Sequence, residues 1–218
     1  MVNKINFSDR IIYLHPDVYE PREDTFFLED FLLDRAKIVS NINNCLEIGC
    51  GSGYLTISLK KIFRKSKIIA LDINPIAIEL TKRNLRENMV EDVLVFQSDL
   101  LEIFKKNNSF FKNEKFDLVL FNPPYLPSSP ERDRNLAEKA WDGGNSTGDA
   151  ISINLLEQIS QLSYLFSEKV EIIIIISNFN IKLKSYIKDA NKFRIKRVQS
   201  KKLIGEFLEV TSLIINSE

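Results

Sequence analysis

The stretch that decides the fold is residues 46–53, which read Leu-Glu-Ile-Gly-Cys-Gly-Ser-Gly. Its apolar start predicts the end of a buried strand, and the helical spacing of the apolar residues over 55–63 predicts a helix directly after it. Such a glycine loop lets a ligand lie against bare backbone at a helix N-terminus. The spacing is Glu-x-Gly-x-Gly-x-Gly, which differs from the Gly-x-Gly-x-x-Gly pattern of dinucleotide sites. The leading Glu47 disfavours a pyrophosphate and favours a cation such as the ammonium of an amino-acid moiety.

Outward from this loop, apolar runs alternate with amphipathic stretches along the chain. This rhythm predicts an α/β fold with a mostly parallel sheet as the middle of three layers. The last two apolar runs leave no room for a helix between them, so they predict an antiparallel pair of strands at the sheet edge. The predicted strands are Asn44–Cys50, Lys67–Ile73, Val93–Asp99, Phe116–Asn122, Val170–Ser177, Phe193–Ser200 and Phe207–Ile215. The predicted helices are Asp24–Ala36, 55–63, 75–88, 151–166 and Ile181–Ala190.

Length and composition restrict the class of protein. The chain has 218 residues, 44% of them hydrophobic, which is enough for an ordinary core in one domain over residues 1–218. Lys plus Arg and Asp plus Glu are 30 each, so no net charge attracts nucleic acid. The longest apolar run, Ile172–Ile176, is too short for a membrane span. Only Cys45 and Cys50 are present, which excludes a disulfide framework and cannot complete a metal site. We expect a cytoplasmic protein, with the nucleus left open.

Two further carboxylates end the second and third predicted strands. Asp72 is placed to accept both hydroxyls of a ribose. Asp99 can accept an adenine amino group, although a helix N-cap explains this residue equally well when it is taken alone. Because parallel strands end at the same edge of a sheet, we expect Glu47, Asp72 and Asp99 to lie together. Capping does not readily explain three carboxylates at three successive strand ends, so they predict a site for an adenosine with an amino-acid moiety.

The sequence Asn122-Pro123-Pro124-Tyr125 is the strongest indication of chemistry. Two prolines fix φ at adjacent positions and push Asn122 to an extended conformation, so its carboxamide oxygen and the Pro123 carbonyl can lie side by side. These acceptors suit one planar amino group, on whose face Tyr125 can stack. Any Asn-Pro favours a turn, but this tetrapeptide after a buried strand favours a site. The long polar stretch Glu131–Asp149 follows at the same sheet edge.

Together these motifs resemble those of class I S-adenosylmethionine-dependent methyltransferases that act on planar amino groups. Two further stretches, Tyr19–Thr25 (Tyr-Glu-Pro-Arg-Glu-Asp-Thr) and Trp141–Gly144, resemble the HemK branch of that family. The resemblance covers nearly the whole chain and implies a Rossmann-like fold with a seven-stranded sheet. It also implies S-adenosylmethionine as cofactor and S-adenosylhomocysteine as product.

The glycine loop, the strand ends and this resemblance together assign the candidate site residues. Those expected to bind the cofactor are Thr25, Glu47, Gly49, Gly51, Gly53, Asp72, Asp99, Leu100 and Asn122. Those expected to be catalytic are Asn122, Pro123 and Tyr125.

The resemblance also implies a substrate and a partner. The HemK branch methylates the side-chain amide nitrogen of glutamine in the Gly-Gly-Gln loop of class I translation release factors. Bacterial members carry a helical N-terminal domain, whereas here the glycine loop starts near residue 47. The chain therefore resembles the short eukaryotic and archaeal branch, whose substrate is the eukaryotic-type release factor. Eukaryotic relatives pair with a small zinc-binding activator subunit along an edge strand, which implies a heterodimer through Val93–Phe96.

Other functions stay open on the sequence alone. The same Asn-Pro-Pro-Tyr sequence serves DNA methyltransferases that act on the exocyclic amine of adenine, but these need a flipped base and usually a basic target-recognition domain. A protein lysine methyltransferase needs a deprotonated amine, and no base is evident because His15, the only histidine, is expected to be a surface or packing residue. The non-enzymatic alternative is a methyltransferase-like scaffold without activity, against which the intact site residues argue.

Overall fold

The computed structural model describes residues 3–7, 9–38, 41–105, 115–129, 140–189, 192–203 and 205–216. A hairpin of β1 (Lys4–Asn6) and β2 (Ile11–Tyr13) stands apart from a seven-stranded sheet. The strands of the sheet are β3 (Asn44–Ile48), β4 (Lys67–Asp72), β5 (Val93–Gln97), β6 (Phe116–Phe121), β7 (Phe166–Ser177), β8 (Phe193–Leu203) and β9 (Glu206–Ile215). The helices are α1 (Glu23–Ala36), α2 (Tyr54–Ile62), α3 (Pro75–Glu87), α4 (Glu102–Lys105), α5 (Ala150–Gln161) and α6 (Ile181–Asp189).

The sheet has the order β5-β4-β3-β6-β7-β9-β8. The strands from β5 to β7 are parallel, and β9 is antiparallel to both of its neighbours, β7 and β8. This confirms the mostly parallel sheet with an antiparallel C-terminal pair. After β3 the chain builds the sheet first toward β5 and later, from β6, in the other direction. The crevice between β3 and β6 is therefore the switch point at which open α/β sheets bind ligands.

The isoleucine run of β7 shows how the sequence builds two helical layers around the sheet. Successive side chains of a strand point to opposite faces, so Ile172, Ile174 and Ile176 pack in the core that contains α5 and α6. The intervening Ile173 and Ile175 pack in the core that contains α1 and α2. A strand segment buried on both faces is mostly apolar, which explains the continuous run Ile172–Ile176. No helix within the described ranges is long and apolar enough to cross a membrane.

The structure differs from the sequence-based boundaries in a few places. The strand β7 begins at Phe166 rather than Val170, because Phe166 pairs with Phe116 across an irregularity in the register. Helix α5 ends at Gln161, and a 3₁₀ turn at Ser163–Leu165 follows it, so the predicted helix over 151–166 is too long. The β1–β2 hairpin and α4 were not predicted, because elements of three or four residues are too short to show a hydrophobic period.

A buried ion pair ties α1 to the sheet. The guanidinium of Arg35 donates from Nε to both carboxylate oxygens of Glu171 on β7 at 2.8 Å, and Ser212 and Lys196 also donate to this carboxylate. Burial acts to raise the pKa of Glu171, but the hydrogen bonds, with Arg35 first, outweigh it and hold the pKa below its ordinary value. The pair thus places an ionised carboxylate inside the protein under α1.

We expect the substitution Arg35→Met to lower the free energy of unfolding by about 3 kcal/mol, because it leaves a buried charge without its main partner. Urea unfolding followed by circular dichroism measures this. The control is Lys37→Met, since Lys37 is exposed and pairs with Asp34 on the surface. Its expected cost is below about 1 kcal/mol. Equal costs for the two variants would show that the pair does not hold α1 in place.

Candidate active site

An open cleft of about 820 Å³ lies over the carboxyl ends of β3, β4, β5 and β6. It coincides with the switch point between β3 and β6. The predicted site residues that line it are Thr25, Glu47, Gly49, Gly51, Asp72, Asp99, Leu100, Asn122, Pro123 and Tyr125. The structure thus brings together residues from five separate segments of the chain.

The glycine loop lies under the cleft. Gly51 lines it with φ of 55°, and a Cβ on this residue would meet nothing within 4 Å. Glycine is therefore required at this position by the backbone conformation and not by space. Gly53, in contrast, is not among the described lining residues. It is the N-cap of α2, and a Cβ there would lie 3.0 Å from Cγ2 of Thr81 on α3, so Gly53 allows two helices to pack closely.

Asp72 ties the glycine loop to the end of β4. Its Oδ2 accepts from the backbone N–H of Gly51 and its Oδ1 from that of Asn74, each at 2.8 Å. Burial raises the pKa of Asp72 and these backbone hydrogen bonds oppose the rise. Because a carboxylate can accept about four hydrogen bonds, Asp72 keeps acceptor capacity toward the cleft. This arrangement suits the hydroxyls of a ribose.

Glu47 is the most deeply buried acid of the cleft, at 2% exposure. Its carboxylate accepts a hydrogen bond from the Thr56 hydroxyl. Desolvation raises the pKa of Glu47 to about 8, with Thr56 opposing the rise and the charge of Asp72 adding to it. A cation in the cleft favours the ionised form, so Glu47 suits a ligand that brings an ammonium group.

Asp99 and Leu100 line the cleft just after the end of β5. The N-cap alternative for Asp99 does not hold, because α4 begins only at Glu102. Asp99 instead exposes its carboxylate at the rim. Leu100 is buried and has φ of 45°, a left-handed conformation that is uncommon for a residue other than glycine. Such strained positions concentrate at ligand sites.

The Asn122-Pro123-Pro124-Tyr125 segment follows β6 directly and lines the cleft. Asn122 Nδ2 donates to Oδ2 of Asp24 at 3.1 Å. The other half of its carboxamide, Oδ1, is buried with no hydrogen-bond partner among the described residues. Behind the segment, Asn180 Nδ2 donates to the carbonyl of Tyr125 at 2.9 Å, which fixes the backbone after the two prolines. A buried acceptor without a partner beside a cleft is the feature expected of a group that awaits a donor.

Several residues of the cleft were not assigned a role from the sequence. Asp24 and Tyr19 belong to the Tyr19–Thr25 stretch, and its resemblance to the HemK branch was the one feature of the sequence that could have indicated them. Glu206 comes from the start of β9, and its Oε2 is buried without a partner among the described residues. No local pattern indicated Glu206, because only the packing of the β8–β9 hairpin brings it to the cleft.

Trp141 also lines the cleft. Its ring meets that of Tyr19 in a T-shaped arrangement with 6.2 Å between centroids, and the guanidinium of Arg22 lies over it at 5.4 Å. The predicted loop Glu131–Asp149 is described from residue 140 onward, and residues 131–139 lie outside the described ranges. A bridge between Leu126 and Asp142 joins its described part to the segment after β6.

The sheet order and the glycine-loop cleft define a Rossmann-like methyltransferase fold. The chain resembles the structure of TYW2 from Methanocaldococcus jannaschii in complex with AdoMet. The TM-score is 0.61 over 99% of this chain and 87% of that one, at 11% sequence identity. This likeness concerns the fold.

Sequence comparison identifies the family. Residues 27–144 match the methyltransferase small domain family. The chain is 35% identical over 164 residues to the eRF1 methyltransferase catalytic subunit mtq2 of Schizosaccharomyces pombe, which covers 67% of this chain and 68% of that protein. It is 43% identical over 132 residues to a putative protein N5-glutamine methyltransferase of Methanocaldococcus jannaschii, which covers 60% of this chain but only 59% of that protein. The chain belongs to the methyltransferase small domain family, in its HemK-type eukaryotic and archaeal branch.

Proposed function

We propose that this protein methylates the side-chain amide nitrogen of glutamine in the Gly-Gly-Gln loop of a eukaryotic-type class I release factor. The observation that carries the proposal is the Asn122 carboxamide, whose oxygen is buried without a partner at the cleft. Pro123 lines the cleft beside it and offers a second carbonyl. Two acceptors of this kind suit a planar amino group. The name of the archaeal relative supports a glutamine acceptor, and the name of the fission yeast relative supports a release factor as the substrate.

The cleft residues fit S-adenosylmethionine as the methyl donor. Glu47 would hold its ammonium, Asp72 its ribose hydroxyls and Asp99 its adenine amino group. Burial and the charge of Asp72 raise the pKa of Glu47, and a bound ammonium would lower it again, so this buried carboxyl would gain an ionic partner when the cofactor binds. When bound, this cofactor supplies an electrophilic methyl group on a sulfonium.

The acceptor nitrogen of an amide is a poor nucleophile, because its lone pair is delocalised into the carbonyl. Asn122 Oδ1 and the Pro123 carbonyl would accept its two N–H bonds, draw electron density onto nitrogen and aim it at the methyl group. Alignment of this kind supplies roughly 7–11 kcal/mol. A nitrogen–carbon bond forms while the carbon–sulfur bond breaks, and the proton leaves to water afterwards. No general base is required before methyl transfer.

The acceptor assignment is tested by methyl transfer from labelled S-adenosylmethionine to a purified eukaryotic-type release factor. The matched substrate carries Gln→Ala in its Gly-Gly-Gln loop, and the zinc-binding subunit is added or left out. We expect label on the Gly-Gly-Gln form alone. Label on both forms, or transfer only to histone or nucleic acid in parallel reactions, would contradict the proposal. A cytoplasmic location is part of the proposal, because release factors act in translation.

The proposed partner is a small zinc-binding activator subunit that pairs with β5. Within the described residues β5 forms an edge of the sheet and pairs with β4 alone. Leu94 on this strand is 43% exposed. An apolar edge of this kind invites another strand or invites aggregation, so a partner that covers it is favourable.

We expect Leu94→Lys to weaken capture of the zinc-binding subunit at least about tenfold, because a charge would be buried at the joint between strands. Pull-down of the purified subunit measures this, with binding of S-adenosylhomocysteine as the check on folding. The matched control is Ile195→Lys, since Ile195 is 45% exposed and lies on β8 at the opposite edge. It should leave capture unchanged. Equal capture by both variants would place the partner elsewhere.

A further inference from the structure

The orientation of the Asn122 carboxamide is fixed by the chemistry of its neighbour. The oxygen and nitrogen of a carboxamide are nearly the same in shape, so only hydrogen-bond partners distinguish the two orientations. Asn122 faces the carboxylate of Asp24 at 3.1 Å. An ionised carboxylate only accepts, so the nitrogen of Asn122 must face Asp24 and its oxygen must face away. That oxygen is the buried atom without a partner at the cleft.

We propose that Asp24 is a positioning residue that sets the polarity of the Asn122 carboxamide, so that the cleft offers an acceptor and not a donor to the group being methylated. The inference deepens the proposed function and rests on it for the identity of the acceptor. With the opposite polarity, the Asn122 amino group would meet the N–H bonds of the incoming amide and repel them. Asp24 thus selects substrates that bring a planar amino group.

The contacts of Asp24 keep its own carboxylate in place. Asp24 is 4% exposed, and its Oδ1 accepts from the Tyr19 hydroxyl at 2.8 Å and from the Thr25 backbone N–H at 2.7 Å. Its Oδ2 also accepts from the Tyr125 hydroxyl at 3.4 Å. Burial and the charge of Asp24 raise the pKa of both tyrosines, so these hydroxyls remain donors. In each of these contacts the partner donates and the carboxylate of Asp24 accepts.

A role in starting the helix accounts for only one oxygen of Asp24. Helix α1 begins at Glu23, and Oδ1 of Asp24 accepts from the backbone N–H of Thr25 in its first turn. The other oxygen, Oδ2, accepts from Asn122, which lies 98 residues away in the sequence. The contact therefore joins the first turn of α1 to the catalytic segment rather than to its own helix alone.

The test exchanges the two side chains. In Asp24→Asn the new amide can donate to Asn122 and turn the Asn122 amino group toward the cleft, so we expect kcat to fall roughly 100-fold. Adding Asn122→Asp restores a donor–acceptor pair and again directs an oxygen at the cleft. The double variant should recover at least about tenfold of the lost kcat. Asp24→Asn should keep cofactor affinity within about threefold, because it leaves Glu47, Asp72 and Asn122 in place. The double variant also changes Asn122, one of the expected cofactor contacts, so its kcat is compared at saturating cofactor.

The control Asp34→Asn makes the same change on α1 but outside the cleft, where Asp34 pairs with Lys37 at the surface, and it should keep kcat within about threefold. Wild-type kcat in Asp24→Asn would overturn the proposal. A folded, cofactor-binding double variant no faster than Asp24→Asn would overturn it as well.

A second readout does not depend on methyl transfer. The side-chain amide protons of Asn122, assigned by their loss in Asn122→Ala, should exchange slowly with water in the wild type and at least about tenfold faster in Asp24→Asn. Equal exchange rates would overturn the proposal even if the glutamine assignment fails. A different outcome separates the two proposals. If exchange becomes fast in Asp24→Asn but the wild type does not methylate the release factor, the role of Asp24 is supported and the proposed glutamine acceptor is wrong.

Discussion

Replacement of Asn122 by alanine is expected to lower kcat by at least about 1000-fold, because the alignment of the acceptor nitrogen is lost. Binding of S-adenosylhomocysteine should weaken by no more than about tenfold, since Asn122 is one of several expected cofactor contacts and those at Glu47 and Asp72 remain. Single-turnover transfer from labelled S-adenosylmethionine and titration calorimetry separate these two effects.

The control for Asn122→Ala is Asn88→Ala. Asn88 bonds both backbone groups of Ile11 and lies outside the cleft residues described above. Its loss should lower the melting temperature and leave kcat within about twofold at a temperature where the variant is folded. If Asn122→Ala transferred methyl groups at the wild-type rate, the catalytic role of the Asn122-Pro123-Pro124-Tyr125 segment would be wrong.

Cofactor binding is expected to depend on pH through Glu47. The pKa of this buried carboxyl in the free protein is about 8, so below that pH it must lose a proton before it can pair with an ammonium. The affinity for S-adenosylhomocysteine should therefore rise about tenfold per pH unit from pH 6 toward 8, with release of about one proton. Calorimetry in buffers of different ionisation enthalpy measures both quantities.

The variant Glu47→Gln isolates this effect, because any titration of the ligand itself is common to both proteins. It should bind more weakly at pH 8 and lose the pH dependence that the wild type shows. A pH dependence that is the same in the variant would contradict the role of Glu47.

The stability of the free protein is expected to depend on pH in the opposite direction to cofactor affinity. The pKa of Glu47 rises from 4.5 to about 8 on folding, so between these values the folded protein binds more protons than the unfolded chain. Its stability should fall as the pH rises through this window. In Glu47→Gln that part of the fall should be absent. The raised pKa is thus a cost to the empty protein that a cationic ligand removes.

Local patterns in the sequence were enough to predict residues that the structure brings together in one cleft. The glycine loop, Asp72 and Asp99 each stand at the end of an apolar run. Hydrophobic periodicity and turn-forming residues depend on sequence neighbours, so both can be recognised in the sequence. The parallel sheet then brings strand ends together without any knowledge of side-chain contacts. This is why the predicted residues line one cleft, with Gly53 alone placed behind the loop against Thr81.

The contacts that complete the site depend on packing and could not be predicted in this way. Asp24 meets Asn122 because the first turn of α1 lies beside the carboxyl end of β6. Nothing in either local sequence indicates that these two residues are close. Glu206 reaches the cleft only through the register of the β8–β9 hairpin. A family motif marked Asp24 as part of a pattern, but the structure was needed to connect it to Asn122.

The most direct measurement of the proposed chemistry is the identity of the methylated atom in the release factor. Acid hydrolysis of an N-methyl amide releases methylamine and leaves glutamate, whereas methyl-lysine and methyladenine keep their methyl groups. We therefore expect the label transferred by the wild type to appear as methylamine after hydrolysis of the factor. Label that stays with lysine or with adenine would contradict methylation of a glutamine side chain by this protein.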